Sequence, residues 1–275
     1  MAFAYQGGGA LDYYPCRYGN SKLLFRGPRR NLDAPFCAIF GGSEAYGKFV
    51  PKPFPDLVEE QTGCALVNLS CMNAGLDVYL NDPTPLEIAA RAQAVVVQVT
   101  GATNLTNRLY SVHPRRNDRF VSASPILRSM YREVDFADFT FTRHMIQTLY
   151  SVSPDRFVQV TTELRAAWIA RMRTLLERIP VPTVLLWISD RAPPTPGMPL
   201  EPTQDPLLVD AGMIAAVRPH ASHYLEVIVS DRARDRGVEG MSFSPLDAPV
   251  AAEVPGPAVH EEIAAALGPV LLGLV

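Results

Sequence analysis

Five short apolar runs punctuate the chain: Cys37 to Phe40, Leu66 to Leu69, Ala94 to Val99, Thr183 to Ile188 and Tyr224 to Val229. They are rich in Val, Ile and Leu and lack strict alternation, the pattern of strands covered on both faces. Helical patterns lie between them. Pro55 to Thr62 has proline at a first-turn position and stops at Gly63, and Pro85 to Gln93 opens after Asn81-Asp82-Pro83-Thr84; both carry helix-start signals. The clearest helix is Val160 to Ile179, where Leu164, Trp168, Met172, Leu175 and Ile179 form one apolar stripe and Pro180 closes the pattern. That stripe is core rather than a cofactor site.

Alternating strands and helices with right-handed crossovers predict a parallel, doubly wound sheet in a three-layer α/β/α sandwich with five strands. Two stretches break the rhythm. Residues 105–153 are too long for one crossover and carry patchy helical spacing, which predicts an inserted helical cap after strand three. Ala192 to Pro206 is proline-rich and predicts a surface loop. The whole chain, 1–275, reads as a single α/β domain with an N-terminal arm over 1–35. The basic stretch Arg17 to Arg30, with Tyr13, Tyr14 and Tyr18 nearby, is expected to pack across the sheet edge. In such sheets ligands bind beyond the carboxyl ends of the strands, where the strand order reverses.

Composition narrows the function. A net charge of -3 over 275 residues supplies no field to hold a nucleic acid backbone. All but three of the 25 basic residues are arginine, a planar anion receptor as well as a signature of GC-rich coding. Cys16, Cys37, Cys64 and Cys71 have no C-x-x-C spacing, and the start MAFAYQGGGALDYY lacks the basic and apolar regions of a secretion signal. These predict reduced thiols and a cytoplasmic protein. No apolar run approaches the roughly 18 residues of a membrane span. His220 and His223 form H-x-x-H without a matching acidic or thiol ligand, and Gly7-Gly8-Gly9 precedes no strand–helix unit, so neither a metal nor a nucleotide cofactor is expected.

Candidate chemistry follows the strands. After the first comes Gly41-Gly42-Ser43-Glu44-Ala45-Tyr46-Gly47, a serine at a strand-to-helix turn like an exposed nucleophile. After the second and third come Asn73-Ala74-Gly75 and Gly101-Ala102-Thr103-Asn104, whose amides are suitable donors to a developing oxyanion. Pro255-Gly256-Pro257-Ala258-Val259-His260 opens the last helix with a histidine.

In this order, Ser43 with Gly47, Val67-Asn68-Leu69 with Gly75, Gly101 with Asn104, and His260 resemble the four blocks of the SGNH, or GDSL-type, serine hydrolase superfamily. The resemblance spans most of the chain on short motifs and implies an SGNH/flavodoxin-like fold. It also implies Ser43 as nucleophile, His260 as base, and the Ser43 amide, Gly75 amide and Asn104 side chain as oxyanion donors, with Asn73 an alternative donor. The family's acid three residues before the histidine is here Pro257. Asp247 or Glu253 could orient the ring instead, or a backbone carbonyl could, leaving a Ser-His dyad.

A carbohydrate or other small-molecule ester, cleaved without a cofactor, is the expected substrate. Arg108, His113, Arg115, Arg116 and Arg119 cluster shortly after Asn104 and are expected to select an anionic one. Two alternatives stand beside the esterase or O-deacetylase. One is a catalytically degenerate member that binds an anionic sugar or metabolite, and the other is an acyltransferase in polysaccharide assembly. The oligomeric state is open.

Overall fold

The computed structural model of the protein describes residues 11–198 and 200–275; the first ten residues of the expected N-terminal arm, with Gly7 to Gly9, and Pro199 of the proline-rich loop lie outside them. The apolar runs form β1 (Phe36–Phe40), β2 (Ala65–Asn68) and β3 (Val95–Gln98), then, after a hairpin of β4 (Tyr110–His113) and β5 (Arg116–Ala123), β6 (Thr183–Ser189) and β7 (His223–Ile228). The helices are α1 (Ser43–Tyr46), α2 (Phe54–Thr62), α3 (Asp77–Leu80), α4 (Pro83–Ala89), α5 (Pro125–Met130), α6 (Thr142–Val152), α7 (Pro154–Glu177), α8 (Ala211–Val217), α9 (Asp231–Asp235), α10 (Ala248–Ala251) and α11 (Pro257–Leu272).

The main sheet runs β2-β1-β3-β6-β7 with every pairing parallel, and it is the middle layer of the expected α/β/α sandwich. Strand alternation sends Phe36, Ala38, Phe40, Val95, Val97, Leu185 and Trp187 into one core with the α7 stripe. It sends Cys37, Ile39, Ala94, Val96, Val184 and Leu186 into a second core under α2 and α11. The chain leaves β1 toward β2 on one side and returns to β3 on the other, so the order reverses between β1 and β3. The residues after these two strands, from Gly41 and from Thr100, therefore flank the switch point.

Local chemistry explains the helix ends. α7 begins at Pro154, several residues before its apolar stripe, because the Ser153 side chain caps it by accepting the Arg156 N–H. The stripe Leu164, Trp168, Met172 and Leu175 is fully buried. Trp168 Nε1 also donates to the Thr100 carbonyl at 2.9 Å, tying the end of β3 to this helix. Gly63 ends α2 in the left-handed conformation, φ 68°.

The insertion is mixed rather than wholly helical: α5, a short 3-10 turn and α6 follow the antiparallel β4–β5 hairpin. Val112 is buried on one strand and Asn117, Asp118 and Ala123 on the other, a pattern without a helical period. From the N-terminal arm, Tyr18, Leu23 and Phe25 join the first core. Its Arg26 is buried and donates to the carbonyls of Tyr46, Gly47, Val50 and Pro51, which fixes the loop leaving α1.

Candidate functional site

β1 delivers Gly41 and Gly42 to a tight turn, and Ser43 is the first residue of α1. Three buried side chains hold this turn. Tyr79, stacked on Phe40, donates its hydroxyl to the Gly41 carbonyl at 2.7 Å and accepts the Gly41 N–H at 3.0 Å. Gln98, the last residue of β3, accepts the N–H groups of Gly42 and Ala45 with one amide oxygen, at 3.0 and 3.3 Å. Its Nε2 donates to Glu44 at 2.8 Å. Asn68, at the end of β2, donates to the Ala45 carbonyl at 2.8 Å. No side chain would fit at Gly41, where a Cβ would lie 2.5 Å from the Gln98 amide oxygen.

The Ser43 hydroxyl is thereby presented to Asn73. It donates to Asn73 Oδ1 and accepts the Asn73 backbone N–H, each at 3.0 Å. Asn73 adopts φ 54°, a left-handed conformation that asparagine tolerates better than most residues. Its carbonyl accepts Asn104 Nδ2 at 3.1 Å, and Asn104 Oδ1 accepts the Thr142 hydroxyl at 2.6 Å. Asn73 Nδ2 faces Asp118 at 3.4 Å. Ser43, Asn73 and Asn104 thus come together after β1, β2 and β3, with Asp118 and Thr142 of the insertion behind them. Beside them Glu44 faces the Arg143–Asp205 ion pair. Burial, with the Asp205 carboxylate adding to it, holds the Glu44 carboxyl above its ordinary range.

His260 does not join this group. It lies in the α2–α11 seam, 1% exposed, where Nδ1 accepts the Phe54 N–H at 3.0 Å and the ring stacks on Phe54 with centroids 5.7 Å apart. Nε2 is buried without a hydrogen-bond partner. Burial, reinforced by the Arg26 charge, pushes its pKa down to about 3, with the Pro255 carbonyl opposing only in part. The expectation of His260 as the base to Ser43 is corrected accordingly: the ring is a neutral acceptor for an orphan helix N–H. His260, Ala264, Leu267 and Leu271 share the buried stripe of α11, and that spacing, readable in the sequence, marks the histidine as core. Asp247 does not orient it; its carboxylate accepts the Ser244 hydroxyl at 2.6 Å.

Gly75 also has a different task. Its N–H donates to Asn117 Oδ1 at 3.2 Å, and Asn117 accepts the Val78 N–H as well. The backbone amide that reaches the Ser43 hydroxyl is that of Asn73. The expected arginine cluster disperses. Arg108 is committed to Glu163, bonding it through Nε at 2.6 Å. Burial of the Glu163 carboxyl is outweighed by these bonds from Arg108, which lower its pKa. Arg115 and Arg116 are exposed at the hairpin tip, and His113 Nδ1 accepts the Arg115 N–H at 3.2 Å. Arg119 follows Asp118 on β5, and its guanidinium lies 4.7 Å from the ring centroid of Phe141, the residue before Thr142. Its Nε is buried without a hydrogen-bond partner.

Sequence reasoning missed Tyr79, Gln98, Asp118 and Thr142, because each acts through a partner distant in the chain; the polar Gln98 closing an otherwise all-valine strand is the one visible signal. Gln98→Leu should cost roughly 1–3 kcal/mol, since two buried N–H groups lose their acceptor. Denaturant unfolding measures that loss, and amide exchange should accelerate at Gly42 and Ala45.

Among the described residues no group of three or more His, Cys, Asp or Glu side chains is placed to hold a metal ion, and no helix is long and apolar enough to cross a membrane. A family model covering residues 1–275 matches the chain. The chain belongs to the family described as a domain of unknown function, DUF6473. No curated protein matches this DUF6473 chain. Among solved structures it is similar to the salicylyl-acyltransferase SsfX3 from a tetracycline biosynthetic pathway, at 14% identity and a TM-score of 0.35. The match covers 90% of this chain and 58% of that one, so the chain spans less than two thirds of that protein's length.

Proposed function

We propose that the protein binds a small hydroxylated anion, such as a sugar acid, at the Ser43–Asn73–Asn104 group without cleaving it. This is the degenerate form of the SGNH-like arrangement that the sequence resembles. One observation carries the reading: the side chain bonded to the Ser43 hydroxyl is the amide of Asn73. A carboxamide oxygen cannot take a proton at neutral pH, so it orients the hydroxyl without raising its nucleophilicity. A ligand hydroxyl or carboxylate can replace Asn73 as partner of Ser43. Arg119, which follows Asp118 on β5, is the arginine that would attract the anionic group.

A fluorophosphonate probe tests it. The native protein should remain unlabelled, while hexuronic acids should raise its melting temperature in a way that Ser43→Ala and Arg119→Ala each weaken. Labelling that disappears in Ser43→Ala would overturn the reading in favour of a serine hydrolase. One observation favours that second reading: Ser43 is the first residue of α1 at the strand-to-helix turn after β1, where a nucleophilic serine would stand. An ester hydrolase or acyltransferase would then draw its base from the ligand.

A further inference from the structure

Cys37 and Cys64 lie far from Ser43 in role and belong to the other end of the strands. Cys37 is the second residue of β1 and is buried against α2 and α11. Cys64 stands between Gly63, the left-handed cap of α2, and the first residue of β2. β1 and β2 are parallel neighbours in which Cys37 pairs with Leu66, so Cys64, two residues earlier, sits on the same face. The two sulfur atoms are 3.3 Å apart. Both thiols are free, Cys37 buried and Cys64 partly exposed.

We propose that Cys37 and Cys64 are a modification site, a thiol pair that hydroperoxides convert to an intramolecular disulfide. The sulfurs need to approach by only about 1 Å to reach disulfide bonding distance. The required movement falls on the Thr62-Gly63-Cys64 turn, where a glycine at φ 68° leaves the backbone free of a side chain and nothing would lie within 4 Å of a Cβ. Burial, with the adjoining Cys64 thiol adding to it, pushes the Cys37 thiol up to about 12. Cys64, on the solvent side, therefore meets the oxidant first.

The chemistry balances in two steps. The Cys64 sulfur displaces alcohol or water from the hydroperoxide O–O bond and becomes a sulfenic acid. The Cys37 sulfur then attacks the Cys64 sulfur, the S–O bond breaks, water leaves with the Cys37 proton, and the S–S bond forms. Two thiols lose two electrons and two hydrogens; the peroxide is reduced by the same two electrons. The bond would link the start of β1 to the exit of α2.

The test treats the full chain with hydrogen peroxide, alkylates it after denaturation and maps the peptides. Alkylated cysteines should fall from the four of the reduced chain to two, with one cross-linked peptide pair containing Cys37 and Cys64, and dithiothreitol should restore all four. Cys64→Ser, at a partly exposed turn on the edge of the second core, should abolish the cross-link while retaining the native circular dichroism; Cys16→Ser should leave it unchanged. The proposal fails if peroxide drives Cys64 to the sulfinic acid while Cys37 remains alkylatable. It fails equally if Cys64 bridges two chains on a non-reducing gel, or if all four thiols survive.

Discussion

Acidification from pH 6.5 to about 3 should cost the protein roughly 5 kcal/mol through His260 alone. In the unfolded chain the imidazole gains its proton near its ordinary pKa of 6.5, whereas in the fold it stays neutral down to about 3. Between those values the unfolded state holds the extra proton, so stability rises with pH across the window. The contribution is fully present above 6.5, shrinks as pH falls, and is gone below about 3, where both states are charged. Roughly 3 kcal/mol of it should already be lost by about pH 4.5.

His260→Gln isolates the effect, because its side-chain oxygen can still accept the Phe54 N–H but does not titrate. Urea unfolding of both proteins from neutral pH down to about 4.5 should show a flatter pH dependence in the variant by that amount. Parallel curves would mean that the imidazole is solvated and available to chemistry, contrary to its place in the α2–α11 seam. The carboxylates contribute equally to both proteins and drop out of the difference.

Gly75→Ala should lower the unfolding free energy by about 3–5 kcal/mol and abolish the ligand binding proposed for Ser43. A Cβ there would lie 1.5 Å from the Asn104 carbonyl oxygen and 2.6 Å from its carbon. Both are backbone atoms, so no rotamer relieves the clash. Separating the segments would pull Asn104 away from the Asn73 carbonyl, and with it the support behind the Ser43 contact.

Gly63→Ala is the matched control. It has open space around its Cβ but φ +68°, so it should cost only about 1–2 kcal/mol, the left-handed penalty of an ordinary residue. Chemical denaturation of the two variants separates steric from dihedral cost. A Gly75→Ala protein as stable as Gly63→Ala would refute the close approach of the second and third turns.

The turns were legible because the chemistry of a strand end is local. Ser43, Asn73 and Asn104 follow apolar runs whose parallel pairing is implied by their composition, and the observed strand order brings them together at the β1–β3 switch point. The arginines were not legible. Arg108 is spoken for by Glu163, 55 residues away in sequence, and no local pattern announces such a partner. The hairpin inside residues 105–153 was hidden because its buried positions include the polar Asn117 and Asp118, which periodicity reads as surface.

His260 marks the boundary most clearly. Its place near the start of the last helix is a property of sequence, as is its membership of the stripe with Ala264, Leu267 and Leu271. Whether that stripe turns the ring toward Ser43 or away from it depends on how α11 seats against α2, and only packing selects that angle. By itself the sequence determined the parallel sheet, the helices that link its first four strands and the serine at the first turn, since these rest on periodicity and turn residues within a few positions. The tertiary structure alone decided that an amide, not an imidazole, meets the serine, because that depends on side chains brought together from separate elements.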